Sequence, residues 1–496
     1  MNNANWINHL VQWRTFLESR ILSTDDEGDR IKIARQIKAI EQVRYSAVLN
    51  PKLFIEFISP VTEAEKLKSE INQFYLELNN SQAKAVEAVL ASNRYLSLIQ
   101  GPPGTGKTQV ISEICLQLCQ RNPNVRILVC SETHVAVNNL ITRISKCDAS
   151  IRCLRIRDKE NDSDIDSFSP HSVISSYIDW LENFCTDSDV CSILSDAFSE
   201  TDNTGLEKAL ALSANVVGMT CNRIGAYRFN DSTEMFDYVI IDEVCKATLP
   251  EILMPLSVAR RAVLVGDPKQ LPPTFCSEDI KIIESIEDCN LRRYMYIDTL
   301  FQQVANTHLL DTQYRMEKSI GRLISTLFYQ GGLKNGRNDE IDESIVWYDY
   351  RESRPWPEKF DNIIDGKQAI RNLDECKIIQ GIIDDLEQKA PGPLKIAIIT
   401  PYKQQAYELR NMISSTGKLN IIIDTVDAFQ GKERDIVIFS LTRTSGKNWF
   451  LADERRLNVA LSRAKDKIII VGKVEYARKN DILLKIIKAA KIIKEN

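Results

Sequence analysis

The sequence predicts an α/β protein with parallel sheets, on two observations. One is the immediate succession of an apolar run from Tyr95 to Ile99, a glycine loop Gly101-Pro-Pro-Gly-Thr-Gly-Lys-Thr108, and the apolar residues Val110, Ile111, Ile114, Cys115 and Leu118 at helical spacing. The other is the return, in both halves of the chain, of short β-branched runs followed by helical patterns. That alternation predicts two domains whose strands are buried on both faces.

The loop fits G-x-x-x-x-G-K-[ST], and its position between strand and helix gives the pattern meaning. Gly101, Gly104 and Gly106, with Pro102, Pro103 and Thr105 between them, let the backbone bend until successive N–H groups face phosphate oxygens. The helix N-terminus adds partial positive charge. Lys107 is placed to reach the β and γ phosphates, and Thr108 to ligate Mg²⁺. The stretch reads as a nucleoside-triphosphate site.

Composition bounds the remainder. The 496 residues give room for about two to four domains. No apolar run approaches the roughly 18 residues of a membrane span, and the N-terminus lacks the basic and apolar regions of a secretory signal. Twelve cysteines without a C-x-x-C pair predict reduced thiols in a cytoplasmic or nuclear protein. Four scattered histidines argue against a zinc site. A net charge of −5 argues against coating nucleic acid through bulk charge, while a narrow basic channel remains compatible with it.

Residues 1–77 predict a helical N-terminal region. Trp6, Leu10, Trp13 and Leu17 share one helical stripe, and Ile33, Ile37 and Ile40 another. Leu53, Ile55 and Phe57 alternate as in a short strand, and Thr62-Glu-Ala-Glu65 reads as a capping box. Asn79 or Ser81 caps the next helix, whose first turn holds Gln82. A carboxamide there is either a solvent-facing group or one suited to the edge of adenine. After the run Val125 to Cys130, hydroxyl and amide groups from Ser131 to Asn138 stand where a polynucleotide backbone can be touched.

From Asp158 to Glu207, 13 acidic residues face a single basic one, Lys159. With Phe168, Val173, Tyr177 and Trp180 among them, the stretch 146–212 reads as a folded acidic insertion, either a solvated surface or a face for a protein partner. The run Phe236 to Ile241 delivers Asp242 and Glu243 at a strand end, the first to hold Mg²⁺ and the second to orient and deprotonate a water. The run Ala262 to Val265 leads likewise into Gly266-Asp-Pro-Lys-Gln270 and presents Gln270 toward a γ-phosphate. Residues 331–361, rich in Gly, Asn, Asp and Pro, predict an irregular linker. Strand patterns return at Leu394–Thr400, on either side of Val426–Gly431, and at Lys467–Gly472. The basic amphipathic segment after Asp481 predicts a C-terminal helix over 481–496 that packs on the second domain rather than on a membrane.

Taken together these stretches resemble superfamily 1 helicases of the 5′→3′ branch, in the group of senataxin and the nonsense-mediated-decay RNA helicase. The resemblance covers residues 78 to about 475. It rests on Gly101–Thr108, Val265-Gly-Asp-Pro-Lys-Gln-Leu-Pro-Pro273, Gln313-Tyr-Arg315, Val426-Asp-Ala-Phe-Gln-Gly431 and Arg455-Arg-Leu-Asn-Val-Ala-Leu-Ser-Arg-Ala464. It implies two RecA-like domains, 78–310 and 311–480, with ATP in the cleft between them, hydrolysed with Mg²⁺ to drive movement along single-stranded DNA or RNA. By the same resemblance Gln82 reads adenine and Tyr314 stacks on it. Arg315 and Arg463 act as arginine fingers, Gly431 and Glu433 lie near ribose and phosphates, and Thr133, Thr220, Thr400, Pro401 and Thr425 line the strand path.

The sequence also departs from that family. Asp242-Glu-Val-Cys-Lys246-Ala puts Lys246 where relatives carry Gln, and Glu132-Thr-His134 stands where relatives favour Pro-Ser-Asn. Relatives place a β-barrel and stalk before the adenine-reading Gln. Here the preceding 77 residues read as mainly helical, so a barrel is expected to be absent or supplied by another chain. The acidic insertion sits where relatives carry their second accessory domain. A different class of function fits these departures: an ATP-driven switch or assembly subunit, acting on a partner through the acidic insertion or the N-terminal region. A small-molecule P-loop kinase accounts for the loop but leaves Gln430-Gly431 and Arg463 unexplained.

Overall fold

The computed structural model describes the chain apart from residues 1–2, 46–47, 49, 60–70, 72, 158–165, 185–202, 226–235, 287–295, 304–306, 352–362, 365–366, 369, 391, 415–416, 430–432, 447–452 and 496. The capping box Thr62–Glu65, Gln430-Gly431 and much of the acidic insertion lie outside the described residues. The described chain forms two compact units. The first comprises 1–101, 106–268 and 272–310, and the second comprises 311–496 with the short segments 102–105 and 269–271.

The first unit is built on seven strands: β1 (Leu96–Gln100), β2 (Ile127–Ser131), β3 (Cys153–Arg155), β4 (Val216–Thr220), β5 (Phe236–Ile241), β6 (Ala259–Gly266) and β7 (Thr307–Leu309). They lie in the order β3-β4-β2-β5-β6-β1-β7, and every neighbouring pair is parallel. Parallel pairing needs a crossover between strands, and helices on both faces then bury the sheet. That is why β2, β4 and the end of β5 are apolar and buried on both faces.

One face is covered by the N-terminal helices α1 (Asn3–Ser23), α2 (Glu27–Arg44) and α3 (Pro51–Ile58). Trp6, Leu10, Trp13, Phe16, Ile40 and Phe57 join Leu98, Leu128 and Leu264 in a single core. The N-terminal region is thus part of the first unit's core. Residues 51–58 are a helix rather than the expected strand, because Asn50 caps the turn through the Lys52 N–H and Pro51 occupies its first position. From α3, Glu56 accepts the Tyr95 and Leu96 N–H groups at 2.8 and 2.9 Å, completing the hydrogen bonding at the start of β1. The other face is covered by α4 (Asn80–Ala91), α5 (Lys107–Arg121) and α6 (His134–Cys147).

In the second unit a short parallel pair, β8 (Thr312–Gln313) with β9 (Lys334–Asn335), precedes the main sheet. That sheet contains β10 (Ile345–Tyr350), β13 (Leu394–Thr400), β14 (Leu419–Thr425), β15 (Arg434–Ser440), β16 (Ala464–Val471) and β17 (Lys491–Glu495). A two-residue hairpin, β11 (Ile363–Ile364) with β12 (Lys367–Gln368), lies outside it. The main order is β14-β13-β15-β16-β10-β17, again parallel throughout. The two parallel sheets match the predicted fold class.

Two expectations for this unit need correction. The stretch expected to be an irregular linker contains β10, a sheet strand whose Ile345, Val346 and Trp347 are buried. Its apolar run is only a few residues long within polar, turn-rich surroundings. The C-terminal segment is not one helix: a helix over Asp481–Ala489 buries Ile482, Leu483, Ile486 and Ile487 in the second unit, and Lys491–Glu495 then pairs with β10. The consecutive β-branched Ile492 and Ile493 suit the strand.

His9 lies in the core of the first unit, where its Nε2 accepts the Trp13 indole N–H at 3.2 Å. Burial pushes its imidazole down from 6.5 to about 4. A depressed folded-state value makes the unfolded chain the better proton binder. This contribution to stability is therefore fully present above pH 6.5 and is lost as pH falls toward about 4. His9→Gln keeps an acceptor for Trp13 but does not titrate. Thermal melts across that window are expected to fall more steeply for wild type than for His9→Gln, and parallel curves would remove His9 as a cause.

Candidate active site

In the first unit the Gly101 N–H donates to the Gly266 carbonyl at 2.9 Å, so the phosphate loop leaves β1 from a fixed point beside the end of β6. Gly104 and Gly106 take φ values of 73° and 81°, a region glycine reaches without strain. α5 begins at Lys107 with no side chain capping its first turn, which leaves the loop-facing N–H groups to a ligand. Lys107 Nζ donates to the Gly101 carbonyl at 2.8 Å.

Gln82 is buried rather than solvent-facing. Its Oε1 accepts the Asn79 N–H while Asn79 Oδ1 accepts the Gln82 N–H, both at 2.9 Å, forming a capping box for α4. Its Nε2 lies against the loop, where a Cβ on Gly106 would stand 2.5 Å away. The segment leading to Gln82 is held by α5. Fully buried Glu113 accepts the Tyr75 and Leu76 N–H groups at 3.1 and 2.9 Å, and Gln109 donates to the Glu77 carbonyl. Sequence reasoning missed Glu113. It shares a polar stripe with Gln109 and Gln117 of the same helix and leaves no local signal, because its backbone partners lie 38 and 37 residues away.

Asp242 and Glu243 follow β5. The Asp242 N–H donates to the Cys130 carbonyl at 2.8 Å, and the Glu243 N–H donates to Asp242 Oδ1 at 2.9 Å. Glu243 takes φ 53°, an unusual conformation for a side chain of this kind. Burial first, and then the Glu243 charge, push the Asp242 carboxyl up to about 6, with Lys107 opposing them.

The two departures noted in the sequence meet here: Lys246 Nζ lies 3.6 Å from Glu132 Oε2. Burial raises the Glu132 carboxyl and Lys246 opposes the rise. The pair bridges the turns after β2 and β5. Beside it a cavity of about 310 Å³ is lined by Trp13, Phe275, Lys32, Asn222 and Glu251 among others. The lining cations are paired, Lys32 with Asp29 and Arg20 with Asp279. The hydroxyls of Thr133 and Thr220 each cap a helix, accepting from Ala136 and Arg223 respectively.

In the second unit a single side chain shapes the Tyr314–Met316 turn. Gln313 is fully buried, and its Oε1 accepts the Arg315 and Met316 N–H groups at 2.9 and 2.7 Å. Its Nε2 donates to the Met316 carbonyl and to Asn335 Oδ1, both at 2.9 Å. The turn exposes Tyr314 (46% accessible), whose ring lies on Gly336: a Cβ there would meet the ring at 2.3 Å.

Arg315 is directed by Glu433, with Nε 2.8 Å from Oε2, and by the Ser462 carbonyl at 3.1 Å. Lys465 Nζ holds the other Glu433 oxygen at 2.8 Å. Burial alone would raise the Glu433 carboxyl, but Lys465 and Arg315 together hold it below the usual carboxylate range. Arg463 is buried. Its Nε donates to the Val459 carbonyl at 3.1 Å, and its Nη2 to Gln270 Oε1 at 3.2 Å.

The structure thus brings together Gln82 with Gly106, Lys107 with Asp242, Arg315 with Glu433, and Arg463 with Gln270. Thr400 and Thr425 are register partners at the ends of β13 and β14. Thr400 is fully buried, whereas Pro401 and Thr425 are half-exposed. Gly431 lies outside the described residues.

AAA domain families match both units: one match covers residues 295–475, and the other covers 77–188 and 186–278. The ATP-dependent helicase upf1 of Schizosaccharomyces pombe is 30% identical over 488 residues, which cover 91% of this chain and 51% of that protein. The DNA polymerase alpha-associated DNA helicase A of Saccharomyces cerevisiae is 29% identical over 481 residues, covering 85% of this chain and 68% of that one. The chain spans about half the length of the former and two thirds of the latter. Among solved structures, an arterivirus nonstructural protein 10 (helicase) with DNA aligns at TM-score 0.41 and 13% identity, covering 80% of this chain and 63% of that chain.

Gln313→Leu keeps the volume of this side chain but strips two buried N–H groups of their acceptor, at about 1–3 kcal/mol each. The second unit is expected to unfold at markedly lower denaturant concentration. An unchanged midpoint would show that the turn is set by its neighbours instead.

Proposed function

Because the chain belongs to the superfamily 1 helicases related to upf1, we propose that it hydrolyses ATP with Mg²⁺ and moves 5′→3′ along single-stranded DNA or RNA, unwinding duplexes. One observation carries the reading. A phosphate loop with Lys107 and a strand-end Asp242–Glu243 pair share the carboxyl edge of one parallel sheet, while Arg315 and Arg463 stand on fixed anchors in a second unit of the same chain.

In this reading the loop N–H groups from Gly101 to Gly106, with Lys107, hold the β and γ phosphates. Thr108 and Asp242 hold Mg²⁺. Among the described residues no group of three or more His, Cys, Asp or Glu forms a metal cage. One buried carboxylate and one hydroxyl suit an ion that is held largely by phosphate oxygens and water. When bound, Mg²⁺ supplies neutralisation of the phosphate charge. Glu243 orients the attacking water and takes its proton. Gln270 contacts the γ-phosphate beside Arg463, and Arg463 and Arg315 answer the charge that builds on the transferred group. Tyr314 stacks on adenine, whose edge Gln82 reads, and Glu433 fixes Arg315 near the ribose and phosphates. Thr133, Thr220, Thr400, Pro401 and Thr425 mark the strand-bearing ends of the two sheets. Hydrolysis alternates the units between two arrangements and advances the strand.

A second reading is supported by the 13 acidic residues against one basic between Asp158 and Glu207. Such a face repels phosphate and suits a protein partner, as in an ATP-driven switch with little unwinding of its own.

Turnover measured with single-stranded DNA, with single-stranded RNA and with neither separates the readings. Strand-stimulated hydrolysis and displacement from a 5′-tailed duplex are expected, and one rate under all three conditions would set the translocase aside. Lys107→Ala and Glu243→Gln are expected to lower turnover by about 10²–10⁴-fold, with Glu243→Gln still binding ATP. Arg463→Ala is expected to cost about 10³-fold or more while ATP affinity stays within a few-fold. Unchanged turnover in any variant would remove that residue's role.

A further inference from the structure

The carboxyl ends of β13, β14 and β15 lie side by side: Thr400 pairs in register with Thr425, and Ile399 with Phe439. Open parallel sheets bind ligands at such an edge. Yet Thr400 is fully buried, and its hydroxyl meets that of Thr442 at 3.1 Å. A buried hydroxyl engaged in this way does not reach a strand. The surface beside it is formed by other residues.

Just beyond β15 the backbone makes an uncommon turn. Thr442 takes φ 67°, a conformation β-branched residues almost never adopt. Across it the Arg443 N–H donates back to the Leu441 carbonyl at 2.8 Å, the mark of a strained three-residue turn. The turn is held from inside by Glu375, which is fully buried. One carboxylate oxygen accepts the Thr442 N–H at 2.8 Å and the Ser440 hydroxyl at 2.6 Å, and the other accepts the Tyr350 hydroxyl at 3.0 Å. Asn372 Nδ2 donates to the Thr442 carbonyl at 2.9 Å. The result is to lay half-exposed Arg443 on Tyr402, two residues beyond Thr400. Its Nε donates to the Tyr402 hydroxyl at 2.8 Å, and its guanidinium lies 5.7 Å from the ring centroid.

We propose that Arg443 and Tyr402 form a contact for the phosphodiester backbone of a single-stranded nucleic acid, with Glu375 as the positioning residue that sets their geometry. The proposal rests on the translocase reading. A guanidinium presents a planar fork that matches a phosphate, and here its plane and one N–H are fixed in advance by an aromatic ring. The same ring offers a surface for a ribose or base in the sequence-tolerant manner of strand-binding grooves. A strained turn locked by a buried carboxylate is a costly way to place a surface arginine, and such outliers gather where geometry serves a ligand.

The test is fluorescence anisotropy of a labelled single-stranded oligonucleotide over a salt series, with labelled ATP titrated in parallel. Arg443→Gln is expected to weaken strand binding about tenfold. The slope of log affinity against log salt should become shallower by about 0.7, as for one lost phosphate contact. ATP affinity should stay within twofold of wild type. Tyr402→Phe, which keeps the ring and loses the hydroxyl, should fall between. Glu375→Ala should reproduce the Arg443→Gln loss and add little to it in the double variant, whereas Glu375→Gln, which retains an acceptor for Thr442, should recover most of the affinity. Equal affinity and slope in wild type and Arg443→Gln would overturn the proposal even if Glu375→Ala failed to fold. Lost ATP affinity with strand binding intact would overturn it by moving the arginine to the nucleotide. A wild-type chain that binds no strand would instead overturn the translocase reading, and this inference with it.

Discussion

The hydrogen bond from the Gly101 N–H to the Gly266 carbonyl continues the β1–β6 ladder one residue past the strand, and the candidate site of the first unit follows from that ladder. In a parallel sheet all strands deliver their last residues to one edge. The phosphate loop leaves β1 there, Asp242 and Glu243 leave β5, and Asp267 leaves β6. No single loop has to fold into a site, because the register of backbone pairing already aligns the starting points. Lys107 and Asp242, 135 positions apart in the sequence, sense each other's charge for this reason.

A second device recurs where backbone must turn without sheet or helix to satisfy it. A long polar side chain accepts neighbouring N–H groups and so acts as a template. Glu56 does this for Tyr95 and Leu96, Glu113 for Tyr75 and Leu76, Gln313 for Arg315 and Met316, and Glu317 for Ser319 and Ile320. Burying an uncompensated carboxylate is very costly, so buried Glu113 and Glu317 are tolerable only with these donors. The dependence runs both ways, since those N–H groups would otherwise be orphaned. The turns that carry Tyr314, Arg315 and Arg443 are thus held from behind by the buried side chains Gln313 and Glu375.

What was legible in the sequence divides along the same line. Apolar runs of β-branched residues disclosed β2, β5, β13 and β15, because two-sided burial leaves a continuous local signature. The glycine loop was legible because its chemistry is contiguous. β10 was hidden because its apolar core is only a few residues long, and β17 because its two isoleucines stand among lysines. The expected strand at Leu53–Phe57 is a helix because capping by Asn50 and Pro51 outweighs alternation over five residues. Glu113, Gln313, Glu375 and the Glu132–Lys246 pair left no local trace, since each acts on backbone or charge distant in sequence. The threonines were the most ambiguous. A hydroxyl at a strand end serves a helix cap as readily as a ligand, and at Thr133 and Thr220 it caps.

Glu56 has a practical bearing on how this protein can be shortened. The motifs all lie beyond residue 77, which invites trimming to the motif-bearing stretch alone. Such a chain would lose the acceptor for the Tyr95 and Leu96 N–H groups at the start of β1, and one face of the sheet, with Leu98, Leu128 and Leu264, would be open to water. The strand that feeds the phosphate loop would begin unanchored beside an exposed apolar surface, inviting frayed edges and self-association. The N-terminal helices are therefore structural members of the first unit, and any minimal version must keep them or replace what they cover.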